Sequence, residues 1–303
     1  ASATNDLGHS AHLEGDLDRA ERLYARALAG ATACGDRRLV AMAEQNLGVV
    51  ANIRGDVKGA MERYALSLRE YQELGDDLAA AWALNNIGMA QVDLELFSAA
   101  ADSFDRAMGF AERAADVGTQ ATVQLNRAEL HLKAGDATRA RGACDRAFDL
   151  FGRLESHTGL AETYKLYAAL YREQGKPELA EAHLAVLAGV ARSCQDVLLE
   201  AEVESDRALL HQSEGRNRDA LIALNRAHAL FSSLRARREV ADLEQRLDQL
   251  ERNYLLVVQA WGESIESKDE YTAGHCSRVA DLTCALAAAS GFDGRDLRWV
   301  RMG

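Results

Sequence analysis

A period of 40 residues constrains this chain more than any other feature. Ala20, Ala60, Ala100, Ala140, Ala180 and Ala220 stand in one column. Gly8, Gly48, Gly88, Ala128, Ala168 and Ala208 form a second column of small residues. A third holds larger side chains: Tyr24, Tyr64, Phe104, Cys144, Leu184 and Leu224. Between the small columns lies a turn, at Gly15-Asp16, Gly55-Asp56, Gly135-Asp136, Gly175-Lys176 and Gly215-Arg216, with Glu95-Leu96 in the one place that lacks its glycine. A glycine in the left-handed conformation ends a helix, and an Asp after it can cap the next. A second turn falls midway through the unit, at Gly35-Asp36, Gly75-Asp76, Asp116 and Gln195-Asp196. Each unit therefore reads helix, turn, helix, turn. The small columns let two helices approach closely, and the large column fills the space between neighbouring pairs. One such unit cannot bury its apolar face alone, so the stack is what is stable.

Composition agrees with an all-α chain. There is one proline, Pro177, in 303 residues, too little punctuation for a sandwich or barrel. Hydrophobic content of 48% with 27% charged residues marks an ordered, soluble chain. The net charge of −12 leaves no basic face for a duplex, so nucleic acid is not an expected partner, whereas a basic peptide suits it. Five cysteines, with no CxxC, argue for a reducing cytoplasm and against a disulfide frame or zinc knuckle. The chain has no apolar run of 18 residues, so no membrane contact is expected.

The spaced small and large residues Leu7-Gly8, Gly15, Ala20, Tyr24 and Ala27 resemble the tetratricopeptide repeat family, although the unit here exceeds that family's usual length of about 34 residues. The resemblance covers residues 1–235. It implies a right-handed superhelical solenoid of about six helix pairs, with the first helix of each pair on the inner wall of a groove that holds a protein or peptide. The Leu7, Leu47 and Ile87 column turns to Arg127, Tyr167 and Arg207, so packing in the later units is expected to differ.

Asn46, Asn86 and Asn126 run along that wall, with Asp6 and Asp206 in phase. Asn carries both a donor and an acceptor, so a ladder of them suits gripping an extended peptide backbone. It suits equally well the bonding of neighbouring helices. Met42, Gln45 and Trp82 are further groove candidates, with Trp82 either an anchor for a partner or part of the core between repeats.

Beyond the repeats, Val240, Leu243, Leu247, Leu250, Tyr254, Val257 and Trp261 follow alternating steps of three and four, a heptad seam within a connecting helix at 236–267. The expectation is a coiled-coil-like dimer seam, and hence a homodimer. The alternative is a capping helix folded back on the last repeat.

Residues 268–303 carry the one catalytic-looking string, Lys268-Asp269-Glu270-Tyr271-Thr272-Ala273-Gly274-His275-Cys276-Ser277-Arg278-Val279. It is similar to the opening of an HD-GYP domain, a metal-dependent cyclic di-GMP phosphodiesterase. The resemblance implies that His275 is one metal ligand, the alternative being a satisfied buried histidine. It also implies that Arg278 bonds within the fold, and that Fe or Mn serves a full-length parent. Tyr271 stands where some members have an additional carboxylate ligand. The family's HD dyad, its other histidine ligands and its GYP motif do not occur here, and one imidazole cannot hold a catalytic metal. The chain is thus expected to be inactive by itself and without cofactor. It reads as the regulatory part of a bacterial phosphodiesterase, or as a stand-alone scaffold with a degenerate tail.

Overall fold

A computed structural model describes residues 1–234, 242–253, 256 and 275–290. Every described element is an α-helix. The repeats form twelve of them: α1 (Ser2–Leu13), α2 (Leu17–Cys34), α3 (Arg37–Ile53), α4 (Val57–Leu74), α5 (Asp77–Asp93), α6 (Phe97–Arg113), α7 (Val117–Lys133), α8 (Ala137–Arg153), α9 (His157–Glu173), α10 (Pro177–Cys194), α11 (Val197–Ser213) and α12 (Asn217–Ser233). A helical stretch at 242–253 (α13) and α14 (His275–Ala289) follow. The chain divides into two compact units, Ala1–Gln174 and Gly175–Gly303.

The turn chemistry starts and stops these helices as expected. Asp16, Asp36, Asp56, Asp76, Asp116 and Asp136 each accept a hydrogen bond from the third backbone amide of the helix they precede, at 2.6 to 3.1 Å. Each such cap contributes about 1 kcal/mol. Gly15, Gly35, Gly55 and Gly75 hold φ between 69° and 85°, the left-handed region that reverses the chain. Where the glycine is missing, Glu95 at φ 58° and Ala115 at φ 51° adopt the same conformation at a steric cost.

In the first unit each helix packs against the next, and the first helices of successive repeats (α1, α3, α5, α7 and α9) touch in sequence. The small and large columns meet as their sizes require. A Cβ on Gly8, Gly48 or Gly88 would lie 2.7, 2.6 or 2.5 Å from the ring of Tyr24, Tyr64 or Phe104. All three rings are buried. Arginines tie the helices together on the surface: Arg54 bridges to Asp18 and Glu21 of the preceding repeat at 2.5 and 2.6 Å, and Arg113 to Asp77 within one repeat at 3.0 Å.

The second unit corrects the reading of the seam. Leu243, Leu247 and Leu250 are buried in a cluster with Leu221, Leu224 and Phe231 of α12 and Ala201 and Ala208 of α11. They are filled from within the chain and present no free face to a second copy. The reason is that α13 keeps the repeat register. Leu247 falls 40 residues after Arg207, in the column that Leu7 and Leu47 began. Arg246 donates to Ser205 Oγ at 2.9 Å, so α13 takes the place of one more first helix, on α11. Steps of three and four describe any buried helix stripe, and here the partner is the preceding repeat. Val240, Tyr254, Val257 and Trp261 lie outside the described residues.

Candidate functional site

The asparagine ladder sits where the first helices meet. Asn46 Nδ2 donates to Asn5 Oδ1 at 3.0 Å, joining α3 to α1. Asn126 Nδ2 donates to Asn85 Oδ1 at 2.7 Å, joining α7 to α5. Asn86 is half-buried and makes no side-chain hydrogen bond among the described residues. Two of the three predicted asparagines thus bond neighbouring repeats. Each such pair engages one NH2 group and one carbonyl, and leaves one whole group of each kind unengaged. Exchanging the two ends of an amide does not change that count.

Beside the Asn5–Asn46 pair, α1, α3 and α5 enclose a cavity of about 780 Å³. Met42, Asn46 and Trp82, all groove candidates from the sequence, line it together with Gln45 and Asp6. Trp82 is 37% exposed, so the structure turns it to the cavity and not to the core. Leu78, one turn before Trp82, is 38% exposed on the same wall. Asn86 and Asn126 are not part of this cavity.

Sequence reasoning missed the charged rim. Asp36 and Asp76 look in the sequence like helix caps and nothing more. They do cap, with Oδ1 accepting from Leu39 and Ala79 at 3.0 and 3.1 Å. But α3 and α5 start side by side, so both carboxylates also border the cavity, and Arg38 pairs with Asp76 Oδ2 at 2.9 Å. Tyr71, the last aromatic residue of α4, also lines the cavity, and burial pushes its hydroxyl up to about 12. The recurring Gly-Asp of the midway turn was the available signal.

The catalytic-looking string falls almost wholly outside the described residues. His275 is the first residue of α14, its side chain lies outside the described residues, and so does Tyr271. Among the described residues no three His, Cys, Asp or Glu side chains converge as a metal site. Arg278 lies exposed on α14. No described helix is long and apolar enough to cross a membrane.

The sequence profile of the tetratricopeptide repeat family matches residues 119–193. No curated protein matches the chain. Among solved structures, BtubC (BKLC) from P. vanneervenii is similar at 26% identity and TM-score 0.53, over 63% of this chain and 78% of its own. A Rap protein complexed with competence and sporulation factor superposes at TM-score 0.63 with 15% identity, covering 82% of this chain and 74% of that one. The Rap conjugation gene regulator of plasmid pLS20, in complex with the Phr* peptide, does so at TM-score 0.63 with 16% identity, covering 90% and 70%. Residues 119–193 are thus similar to tetratricopeptide repeats, and the helices on either side continue their 40-residue period.

Proposed function

We propose that the repeats are a protein-interaction module and that the cavity between α1, α3 and α5 is its peptide-binding site. The observation that carries this is the pairing, in one cavity, of a partly exposed Trp82 with the unspent amide groups of Asn5 and Asn46. An extended backbone needs a donor and an acceptor at a fixed spacing, and an apolar side chain of the ligand needs a surface such as Trp82. Two proteins of similar fold, the Rap proteins above, are held in complex with a factor and a peptide. The test is fluorescence anisotropy with pools of labelled hexapeptides. Trp82→Ala should weaken binding about tenfold or more, as a buried aromatic anchor does. Leu66→Ala, exposed on α4 and not lining the cavity, should leave it unchanged. Equal binding by both variants would remove the cavity from consideration.

A second reading rests on the likeness of residues 268–279 to an HD-GYP domain: the repeats regulate a cyclic di-GMP phosphodiesterase. One structural feature favours it. Val279, Leu282 and Leu286 are 49%, 77% and 70% exposed on one side of α14, a face that suits packing within a larger helical domain. Hydrolysis of cyclic di-GMP by the full-length gene product, with and without residues 1–235 and with Mn²⁺ or Fe²⁺ added, decides it. A rate that changes on deletion supports regulation, and no hydrolysis with metal present rules the reading out. Without that link, the stand-alone adaptor remains.

A further inference from the structure

We infer that the cavity between α1, α3 and α5 selects its peptide by a basic side chain, Arg or Lys, held against Trp82 among the carboxylates of the rim. This rests on the peptide-binding reading and adds to it what the ligand must carry.

The charges around the cavity do not balance. Asp6, Asp36 and Asp76 face it with Arg38 as the one fixed cation, and Arg38 is already engaged by Asp76 at 2.9 Å. Asp36 spends only Oδ1 on its cap bond. The carboxylate of Asp6 has no partner among the described residues; the neighbouring Ser10 hydroxyl donates to the Asp6 backbone carbonyl instead. Two carboxylates are thus left over at the mouth of a cleft. Water satisfies them while the cleft is open. A ligand that displaces that water must supply the compensating charge or leave buried carboxylates unpaired, which is costly.

Trp82 points to the same ligand independently of the carboxylates. An indole face is the best aromatic partner for a cation, and an Arg or Lys side chain also lays its methylenes along apolar surface. Leu78 and Met42 provide that surface beside Trp82. A third observation concerns Asn5. It is 3% exposed, its Oδ1 accepts from Asn46, and its Nδ2 has no partner among the described residues although the residue lines the cavity. That amide end, open to the cavity, fits one group of a peptide bond: a ligand carbonyl, or a ligand N–H if the two ends of the amide are exchanged. The occupant is therefore a peptide: a backbone amide group for Asn5, and a cationic side chain for Trp82, Asp6 and Asp36. An acidic peptide would add like charge to an already acidic rim. The net charge of −12 on the whole chain works in the same direction at long range.

The experiment uses the full chain and four pools of fluorescein-labelled, C-amidated hexapeptides. Each pool is random except for one central residue, fixed as Arg, citrulline, norleucine or Glu. Citrulline keeps the shape of Arg and removes its charge. The Arg pool should bind about tenfold more tightly than the citrulline pool in low salt, the scale of one desolvated cation–π or charge contact. That ratio should shrink as salt is raised. Asp6→Asn combined with Asp36→Asn should bring the ratio to about one. Asn caps a helix about as well as Asp, so α3 should stay intact, which circular dichroism and thermal melting check. If all four pools bind alike and Trp82→Ala weakens them alike, selection by a cation is wrong while peptide binding stands. If the Glu pool binds best, the sign of the rim has been misjudged. If no pool binds, both the selection and the peptide reading fall.

Discussion

Gly88 and Phe104 show how closely individual residues are matched here. The aromatic ring fills the place where a methyl group on the glycine would sit, 2.5 Å from the nearest ring carbon. Further along the chain the equivalent small position becomes Ala128 and the large one shrinks to Cys144, both buried. Gly88→Ala should therefore destabilise by about 1–3 kcal/mol, because the ring has nowhere to move in a packed core. Gly109 on α6 has open space around its Cβ position. Gly109→Ala should instead stabilise, by up to about 1 kcal/mol, through helix propensity alone. Urea unfolding of both variants measures the contrast. The columns that carry this matching were readable in the sequence, since they recur at a fixed period. Whether Asn46 grips a ligand or a neighbour was not readable, because one amide can do either. Its bond to Asn5 appears only once α1 and α3 lie side by side.

At the scale of the element, turns carry the strain. Glu95 holds φ 58° where the sister turns have glycine. Its side chain stays out of the way, but its Cβ still crowds the backbone. Glu95→Gly should raise stability by up to about 1 kcal/mol, visible as a higher midpoint in urea, with peptide binding unchanged since Glu95 does not line the cavity. Gly55→Ala, at φ 85°, should do the reverse. Helix α13 carries a different lesson. Its Leu243, Leu247 and Leu250 spacing reads as a coiled-coil seam, and the same spacing serves a helix laid on the preceding repeat. Periodicity tells which face of a helix is apolar, and the chain that covers that face is a matter of contact.

For the molecule as a whole, the buried tyrosines and Cys144 set an alkaline limit. Burial raises the hydroxyls of Tyr64, Tyr71 and Tyr167 and the thiol of Cys144, with Tyr71 and Cys144 each pushed up to about 12 from ordinary values of 10.0 and 9.0. The folded chain keeps these protons at a pH where the unfolded chain has released them. Their contribution is present in full below about pH 9 and is lost as pH rises through the window toward 12. The melting temperature should fall by several degrees between about pH 9 and pH 11, followed by circular dichroism, while the share of tyrosinate absorbance lost on replacing Tyr64, Tyr71 or Tyr167 by Phe appears only with unfolding. Free titration of Tyr64, Tyr71 and Tyr167 near pH 10 in the folded protein would contradict that burial.

The repeat, its helix boundaries and its buried columns are local or periodic properties, and the sequence by itself determined them: propensity, capping and side-chain size act within a few residues or at a constant spacing. That Met42, Asn46 and Trp82 lie on one side of the first helices was legible for the same reason, since those helices share one phase, and the three line one cavity. Tertiary structure alone decided the rest. It put the caps Asp36 and Asp76 on a ligand-sized cavity, because two helix starts 40 residues apart in sequence come to lie next to each other. It joined Asn5 to Asn46 and turned Trp82 outward. It covered the leucines of α13 with α11 and α12. Each of these depends on which surface meets which, and a one-dimensional pattern leaves that pairing open.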